Sequence, residues 1–192
     1  LYYGPGRQVH VYSAPGRAEL GGNHTDHQHG CVLAGGVNLD VIAVVAPNND
    51  GKVRIKSEGY DMDTVDICKL EKDESEHGRA SALIRGVLSR FKELGCTLSG
   101  FNAYTTSNVL KGSGLSSSAA FEVLVGNIVN GMFFEAKADE ITVAKIGQYA
   151  EREYFGKPCG LLDQMASSLG GFTYADFFDP AEPITEKINL DI

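Results

Sequence analysis

The chain has 192 residues, of which 43% are hydrophobic and 22% charged, and its formal net charge at pH 7 is −8. This length suits one substantial domain with its own core, or one domain and part of a second. The negative charge argues against a nucleic-acid backbone or an anionic membrane surface as the main partner, because both attract basic protein surfaces.

The four cysteines lie far apart along the chain and form no C-x-x-C pair. Such spacing suits reduced thiols in the cytosol better than a disulfide framework or a zinc site. No apolar run approaches the length of a membrane span, and no signal peptide is visible. We therefore predict a cytoplasmic protein that has neither a nucleic-acid nor a membrane partner.

Five segments have the composition of β-strands, at residues 9–14, 37–46, 52–57, 98–106 and 171–178. The first leads into a predicted turn at Pro15-Gly16. The sequence Asn48-Asn49-Asp50-Gly51 predicts a hairpin that joins the second strand to the third.

Helical periodicity or capping residues mark four segments between and after these strands. Apolar residues recur at helical spacing over residues 80–91, and Gly95 provides a C-terminal stop. Further helices are predicted over residues 117–134, after a cap at Asp139, and from near Leu161 to Gly170. Strands and helices do not alternate as regular βαβ units, which favours an α+β or mixed α/β fold with a mixed, largely antiparallel sheet.

Residues 111–120, KGSGLSSSAA, combine a glycine-rich turn with the start of a helix. The two glycines allow close approach to a ligand, and unpaired N–H groups at a helix N-terminus favour an anion. The segment is not a Walker A loop, and Ser117 stands where a dinucleotide fingerprint has its third glycine. Taken alone, it predicts either a phosphate-binding loop or a serine-capped helix.

Residues 14–27, APGRAELGGNHTDH, carry an unusual number of hydrogen-bonding side chains. Buried polar groups need partners, and the hydroxyls of a sugar are suitable ones. Two alternatives remain open at this point. One is a solvated polar loop, and the other is a metal site formed by His24, His27, His29 and Asp26.

The two segments resemble, in this order, the first and second motifs of the GHMP small-molecule kinases. The first is similar to the galactokinase signature, in which Gly-Arg precedes a Gly-Glu-His-Thr-Asp core. A third segment, EREYFGKPCGLLDQ at 151–164, is similar to the galactokinase segment that contains the catalytic aspartate. The resemblance implies a GHMP kinase N-terminal domain, ribosomal protein S5 domain 2-like, over residues 1–180, with residues 181–192 beginning a C-terminal lobe.

The resemblance also implies an enzyme that uses ATP and Mg²⁺ to convert galactose into galactose 1-phosphate. The residues at the family's functional positions are Asp163 as the base and Arg17 as its partner; Asn23, His24, Asp26, Gly160 and Asp163 for the sugar; Gly112, Ser113, Gly114, Leu115, Ser116, Ser117 and Ser118 for ATP; and Ser118 and Glu151 for Mg²⁺. The local sequence alone favours Asp163 as a first-turn acid stabilised by the helix dipole, and its place in the matched segment reverses that interpretation.

Three residues of the first motif depart from the usual galactokinase pattern. Glu19 replaces an asparagine, Asn23 a sugar-contacting glutamate, and His27 a tyrosine. The alternatives are therefore a kinase for an N-acetylhexosamine, a uronic acid or a pentose, and a non-catalytic sugar sensor. The family's third, glycine-rich motif is not found after Asp163, so we expect the C-terminal lobe to be the partner of this chain and the chain alone to be inactive or very weak.

Overall fold

The computed structural model describes residue 6 and residues 8–189. The strands are β1 (His10–Gly21), β2 (Cys31–Asn48), β3 (Lys52–Ser57), β4 (Met62–Asp66), β5 (Gly100–Ser107), β6 (Phe172–Asp176) and β7 (Ile184–Ile188). The α-helices are α1 (Ala80–Glu93), α2 (Ser117–Phe133), α3 (Glu140–Tyr149) and α4 (Leu162–Leu169). Two short 3-10 helices, Thr25–Gln28 and Glu74–Glu76, lie in loops, and a π-helix, Ala150–Phe155, continues α3.

The strands form one sheet in the order β4-β3-β5-β2-β6-β7, and β1 pairs with β2. The β3–β5 pair is parallel, and every other pair among the described residues is antiparallel. The parallel pair needs a crossover connection, which β4 and α1 provide. The predicted fold class, a mixed and largely antiparallel sheet packed with helices, is confirmed.

The predicted hairpin between the second and third strands is wrong. Gly51 makes the turn with φ of 69°, but β5 lies between β2 and β3 and pairs with both. A Cβ atom at Gly100, the first residue of β5, would lie 2.1 Å from Asn48 Oδ1 and 2.7 Å from the Lys52 carbonyl oxygen. Because Gly100 has no side chain, the first residue of β5 can lie between the end of β2 and the start of β3, next to the turn.

The predicted turn at Pro15-Gly16 is also wrong, because β1 continues through it to Gly21 with a bulge between Pro15 and Arg17. At the bulge, Arg17 N donates to the Leu115 carbonyl oxygen over 3.1 Å. A Cβ atom on Gly16 would lie 2.9 Å from the same oxygen. The irregularity thus joins β1 to the loop that precedes α2.

The helices pack on one another and on the sheet around a large core and a smaller one. The large core contains Ile55, Phe91, Phe101 and Ile128, which have no exposed surface. The smaller core joins α4 to β2 and β6. The four predicted helices are confirmed, including the Asp139 cap, which accepts from Thr142 N over 2.8 Å. Among the described residues, no helix is both long and apolar enough to cross a bilayer.

Strands β4 and β7 are not among the five predicted strands, and the helix predicted after Asp139 ends in a π-helix. The π-helix after α3 carries Glu151 into the interior, where it is 1% exposed. Strand β7 falls within residues 181–192, the predicted start of a second lobe, yet it pairs with β6 at the sheet edge. The boundary at residue 180 stays a prediction, and residues 1–5, 7 and 190–192 lie outside the described part.

Candidate active site

Three segments that are distant in sequence meet at Asp163, in the first turn of α4. Arg17, which is buried on β1, donates from Nε to Asp163 Oδ1 over 2.7 Å. Ser116, which precedes α2, donates from Oγ to Asp163 Oδ2 over 2.5 Å. Arg17 also donates from Nη1 to the Gly114 carbonyl oxygen over 2.8 Å. The predicted contact between Arg17 and Asp163 is therefore present, and it includes the glycine-serine loop.

Opposing effects act on the ionisation of Asp163, whose side chain is 28% exposed. Burial raises its pKa, but the hydrogen bonds from Arg17 and Ser116 and the charge of Arg17 outweigh burial, so the net pKa is lowered. Asp163 is thus a carboxylate at neutral pH, with both oxygens facing donors. It loses that charge only as the pH falls below the ordinary aspartate range.

The N-terminus of α2 is arranged to receive an anion. Ser116 occupies the N-cap position, but its hydroxyl bonds to Asp163 and makes no cap. The first helical N–H donor is that of Ala120, which bonds to the Ser116 carbonyl oxygen. The preceding N–H groups of the first turn are left for a ligand at the positive end of the helix dipole.

The glycines of the same loop are needed for their backbone conformation, and not because a side chain would clash. Gly112 and Gly114 have φ values of 81° and 78°, and a Cβ atom on either would meet nothing within 4 Å. They allow a left-handed backbone that other residues adopt with strain. Ser113 donates from Oγ to the Leu110 carbonyl oxygen over 2.7 Å, which holds the turn together.

Ser118 and Glu151, the predicted metal-binding pair, are in contact. Ser118 Oγ donates to Glu151 Oε1 over 3.0 Å, and Lys157 Nζ lies 3.0 Å from the same oxygen. A hydroxyl and a carboxylate are hard oxygen donors of the kind Mg²⁺ prefers beside nucleotide phosphates. These two donors fit the ion, and Mg²⁺ bound there would take over the neutralisation of Glu151 that Lys157 now provides.

The histidines of the first motif do not form the alternative metal site. His24 Nε2 lies 3.0 Å from Glu19 Oε2, and His29 Nδ1 lies 2.8 Å from the Phe178 carbonyl oxygen. Within residues 8–189, no group of three or more His, Cys, Asp or Glu residues is placed to hold a metal.

A cavity of about 690 Å³ has Asp163 in its lining. Its lining includes His24, Asp26, His27, Lys157, Gly160 and Asp163. Asp26 is 5% exposed and accepts from Leu162 N over 2.9 Å at the start of α4. The cavity thus combines predicted sugar positions with the candidate base.

Glu19, one of the departures from the family pattern, organises the turn that carries His24. Its Oε1 accepts from His24 N over 2.8 Å. Asn23 and His24 have φ values of 53° and 51°, so this bond supports a strained left-handed turn. Asn23 is exposed and is not part of the lining of the 690 Å³ cavity. Its predicted sugar contact stays a prediction.

A second cavity, of about 260 Å³, is lined in part by the N-terminus of α2. No motif indicated it, because its walls come from unconnected positions on β2, α1, α2 and the π-helix. The lining includes Val41, Leu83, Phe121 and Phe155 along the walls, and Lys111, Ser117 and Ser118 at the phosphate loop. A flat apolar group with a phosphate tail matches this lining.

Glu122 and Gln164 form a buried polar contact that sequence reasoning missed, although Gln164 lies within the third motif. Gln164 Nε2 donates to Glu122 Oε2 over 2.9 Å, and both residues are 0% exposed. Burial, and then the charge of Glu151, raise the pKa of Glu122 well above the ordinary range. Glu122 therefore keeps its proton to a higher pH than an ordinary glutamate does.

This ionisation state predicts how stability depends on pH. Between the ordinary glutamate pKa and the raised folded pKa, the folded state binds one more proton than the unfolded state. Stability contributed by this group therefore falls as pH rises, by up to about 1.4 kcal/mol per pH unit. We expect Glu122→Gln, which has no proton to lose, to gain stability relative to the unsubstituted protein from pH 5 to pH 8. Urea unfolding across that range measures the difference, and a constant difference would contradict the prediction.

Comparison with known proteins gives consistent matches. Residues 82–171 match the family model described as GHMP kinases N terminal domain, and residues 2–47 match the galactokinase galactose-binding signature. A galactokinase of Lactobacillus helveticus is 37% identical over 174 residues, which cover 88% of this chain and 44% of that protein. A galactokinase of Bacillus subtilis is 32% identical over 171 residues, which cover 88% of this chain and 43% of that protein.

A solved structure, that of Lactococcus lactis galactokinase complexed with galactose, matches with a TM-score of 0.84. The two are 26% identical, and the match covers 95% of this chain and 48% of that one. The chain therefore spans less than half the length of each of these three proteins.

Proposed function

Because the chain belongs to the GHMP kinases and corresponds to the N-terminal part of galactokinases, we propose that the full-length gene product transfers the γ-phosphoryl group of ATP to galactose. The product is galactose 1-phosphate. The observation that carries the proposal is the contact of Asp163 with both Arg17 and Ser116, because it joins a polar cavity to the loop before α2. The free cysteines support a cytoplasmic location.

The nucleotide occupies the 260 Å³ cavity and the α2 N-terminus. The adenosine part packs against apolar side chains such as Leu83 and Phe121, and the phosphates reach Ser117 and Ser118. The N–H groups and the dipole of α2 hold the negative charge. Mg²⁺, when bound by Ser118 and Glu151, neutralises charge on the phosphates.

The sugar occupies the 690 Å³ cavity with its anomeric hydroxyl toward Asp163. Polar groups of Asp26 and His24 and the backbone at Gly160 lie along its wall. Asp26 is held by Leu162 N, so its carboxylate is fixed before a ligand binds. Alignment of the hydroxyl with the γ-phosphate supplies much of the rate in phosphoryl transfer.

Asp163 accepts the proton of the attacking hydroxyl. Its lowered pKa makes it a weak base, but the transition state of phosphoryl transfer is loose. The proton leaves late, when the hydroxyl oxygen is bonding to phosphorus and has become acidic. Arg17 keeps the carboxylate ionised and oriented. The Nη2 atom of Arg17 has no hydrogen-bond partner among the described residues and is free to contact the transferring group.

Arg17→Lys is expected to lower turnover on the order of 10²-fold, because misplacement of a catalytic group by about 1 Å has this effect. A lysine retains the charge but cannot bond Asp163 and the Gly114 carbonyl oxygen at once in fixed geometry. Steady-state kinetics of the full-length gene product measure the effect. The matched control is Arg54→Lys, whose partner Asp50 is half exposed in the turn before β3. Equal kinetics for Arg17→Lys and the control would remove Arg17 from its role.

The function itself is tested by a kinase assay of the full-length gene product against a panel of aldoses, with the phosphate position of the product determined. Galactose 1-phosphate as the preferred product supports the proposal. Preference for an N-acetylhexosamine, a uronic acid or a pentose would reassign the substrate. Asn23, which is exposed and replaces the usual sugar-contacting glutamate, motivates these alternatives. Sugar binding without ADP release would indicate a sensor. The 192-residue chain alone is expected to be inactive or very weak.

A further inference from the structure

A buried amide lies behind the carboxylate that faces Ser118. Gln164 donates from its single amide nitrogen to Glu151 Oε2 over 2.8 Å and to Glu122 Oε2 over 2.9 Å. Gln164 and Glu122 are 0% exposed, and Glu151 is 1% exposed. Both N–H bonds of the amide therefore have carboxyl partners in a dry environment, where such bonds are directional and costly to lose.

The two carboxylate oxygens of Glu151 have different neighbours. Oε2 faces the interior and Gln164, whereas Oε1 faces Ser118 and Lys157 at the cleft. Gln164 Oε1 and Glu122 Oε1 have no hydrogen-bond partner among the described residues. Burying two such oxygens is unfavourable, which argues that the amide serves something besides stability.

The position of Gln164 in the chain connects this contact to the candidate base. It directly follows Asp163 in the first turn of α4, so the two side chains leave the turn toward different partners. Asp163 contacts Arg17 and Ser116, while Gln164 contacts the π-helix and α2. One helical turn thus orients both carboxylates of the candidate site.

We propose that Gln164, anchored by Glu122, is a positioning residue that fixes the carboxylate of Glu151 so that Oε1 is presented to the divalent cation of the nucleotide. This rests on the proposed function, since the cation and the nucleotide belong to it. The bond from Gln164 restricts rotation of Glu151, so the carboxylate is oriented before the cation binds. Partners of this kind behind a metal ligand typically raise metal affinity 10- to 100-fold.

The test is Gln164→Met in the full-length gene product, because methionine has similar length and no N–H donor. We expect the Mg²⁺ concentration for half-maximal rate to rise roughly 10-fold. KM for the sugar should stay within about twofold, because Gln164 is not part of the lining of the 690 Å³ cavity. A second readout is the affinity for Mn²⁺ beside a non-hydrolysable ATP analogue, measured by electron paramagnetic resonance, which should fall by the same factor.

Ser167→Ala is the matched control on the same helix. Ser167 is buried and donates to the Pro15 carbonyl oxygen over 2.6 Å, so its removal weakens α4 without touching Glu151. The control should lower the unfolding temperature and leave Mn²⁺ affinity unchanged. If Gln164→Met does not fold, Gln164→Asn, which is too short to reach both carboxyl groups, is expected to weaken Mn²⁺ binding in the same way.

The outcomes separate this inference from the proposed function. Wild-type Mn²⁺ affinity in the Gln164 variants, with only a lowered unfolding temperature, overturns the positioning role. Absence of sugar phosphorylation by the unsubstituted protein overturns the proposed function. In that case the Mn²⁺ measurement still decides whether Gln164 orients Glu151.

Discussion

Asp163→Asn is expected to lower turnover of the full-length gene product by a factor on the order of 10²–10⁴, the usual contribution of a positioned general base. Affinities for the sugar and for ATP should remain nearly unchanged. Steady-state kinetics give turnover, and isothermal titration with a non-hydrolysable ATP analogue gives the affinities.

The affinities should survive because asparagine can satisfy the same neighbours. Its Oδ1 can accept from Arg17 Nε, as the carboxylate oxygen does over 2.7 Å. Its Nδ2 can donate to Ser116 Oγ, since a hydroxyl both donates and accepts. The amide cannot take a proton at neutral pH, so the substitution removes proton transfer while largely keeping the geometry.

Asp139→Asn is the matched control, because Asp139 caps α3 and asparagine caps a helix equally well. It should leave turnover and stability unchanged. Turnover of Asp163→Asn within a few-fold of the unsubstituted protein would remove Asp163 from the role of base. A loss of sugar affinity equal to the loss of turnover would instead assign Asp163 to ground-state binding.

Features that depend on nearby residues could be predicted from the sequence. Helical periodicity located α1, and the Asp139 cap and Gly170 located one end each of α3 and α4. The contact between Arg17 and Asp163 came from the resemblance of three motifs, which relate distant segments through a known family. Periodicity alone could not have joined residues 146 positions apart.

Features that depend on distant segments could not be predicted. Turn-forming residues at 48–51 correctly indicated a reversal, but the insertion of β5 depends on Gly100, far along the chain. The 260 Å³ cavity has walls from several elements and no local pattern. Glu122 lies on the apolar helix α2, and only the tertiary structure shows that Gln164 is its partner.

Gly160→Ala is expected to impair both activity and stability, because the position has no room for a methyl group. A Cβ atom there would lie 1.8 Å from Asp26 Oδ2 and 2.4 Å from Asp26 Cγ. Asp26 must then move away from Leu162 N, to which it is bonded over 2.9 Å. Leaving a buried donor without its partner costs about 1–3 kcal/mol.

The same displacement should lower kcat/KM for the sugar on the order of 10²-fold, because Asp26 and Gly160 both line the 690 Å³ cavity and the start of α4 carries Asp163. The measurements are urea unfolding and steady-state kinetics of the full-length gene product. Gly21→Ala is the control, since a Cβ atom there meets nothing within 4 Å and Gly21 is not among the residues with positive φ.

In a double-mutant cycle, Gly160→Ala should add little to the loss caused by Asp26→Ala, because the clash is with the aspartate side chain. Full additivity would show that alanine at 160 acts through some other contact, and the packing of Gly160 on Asp26 would then not be what shapes the cavity.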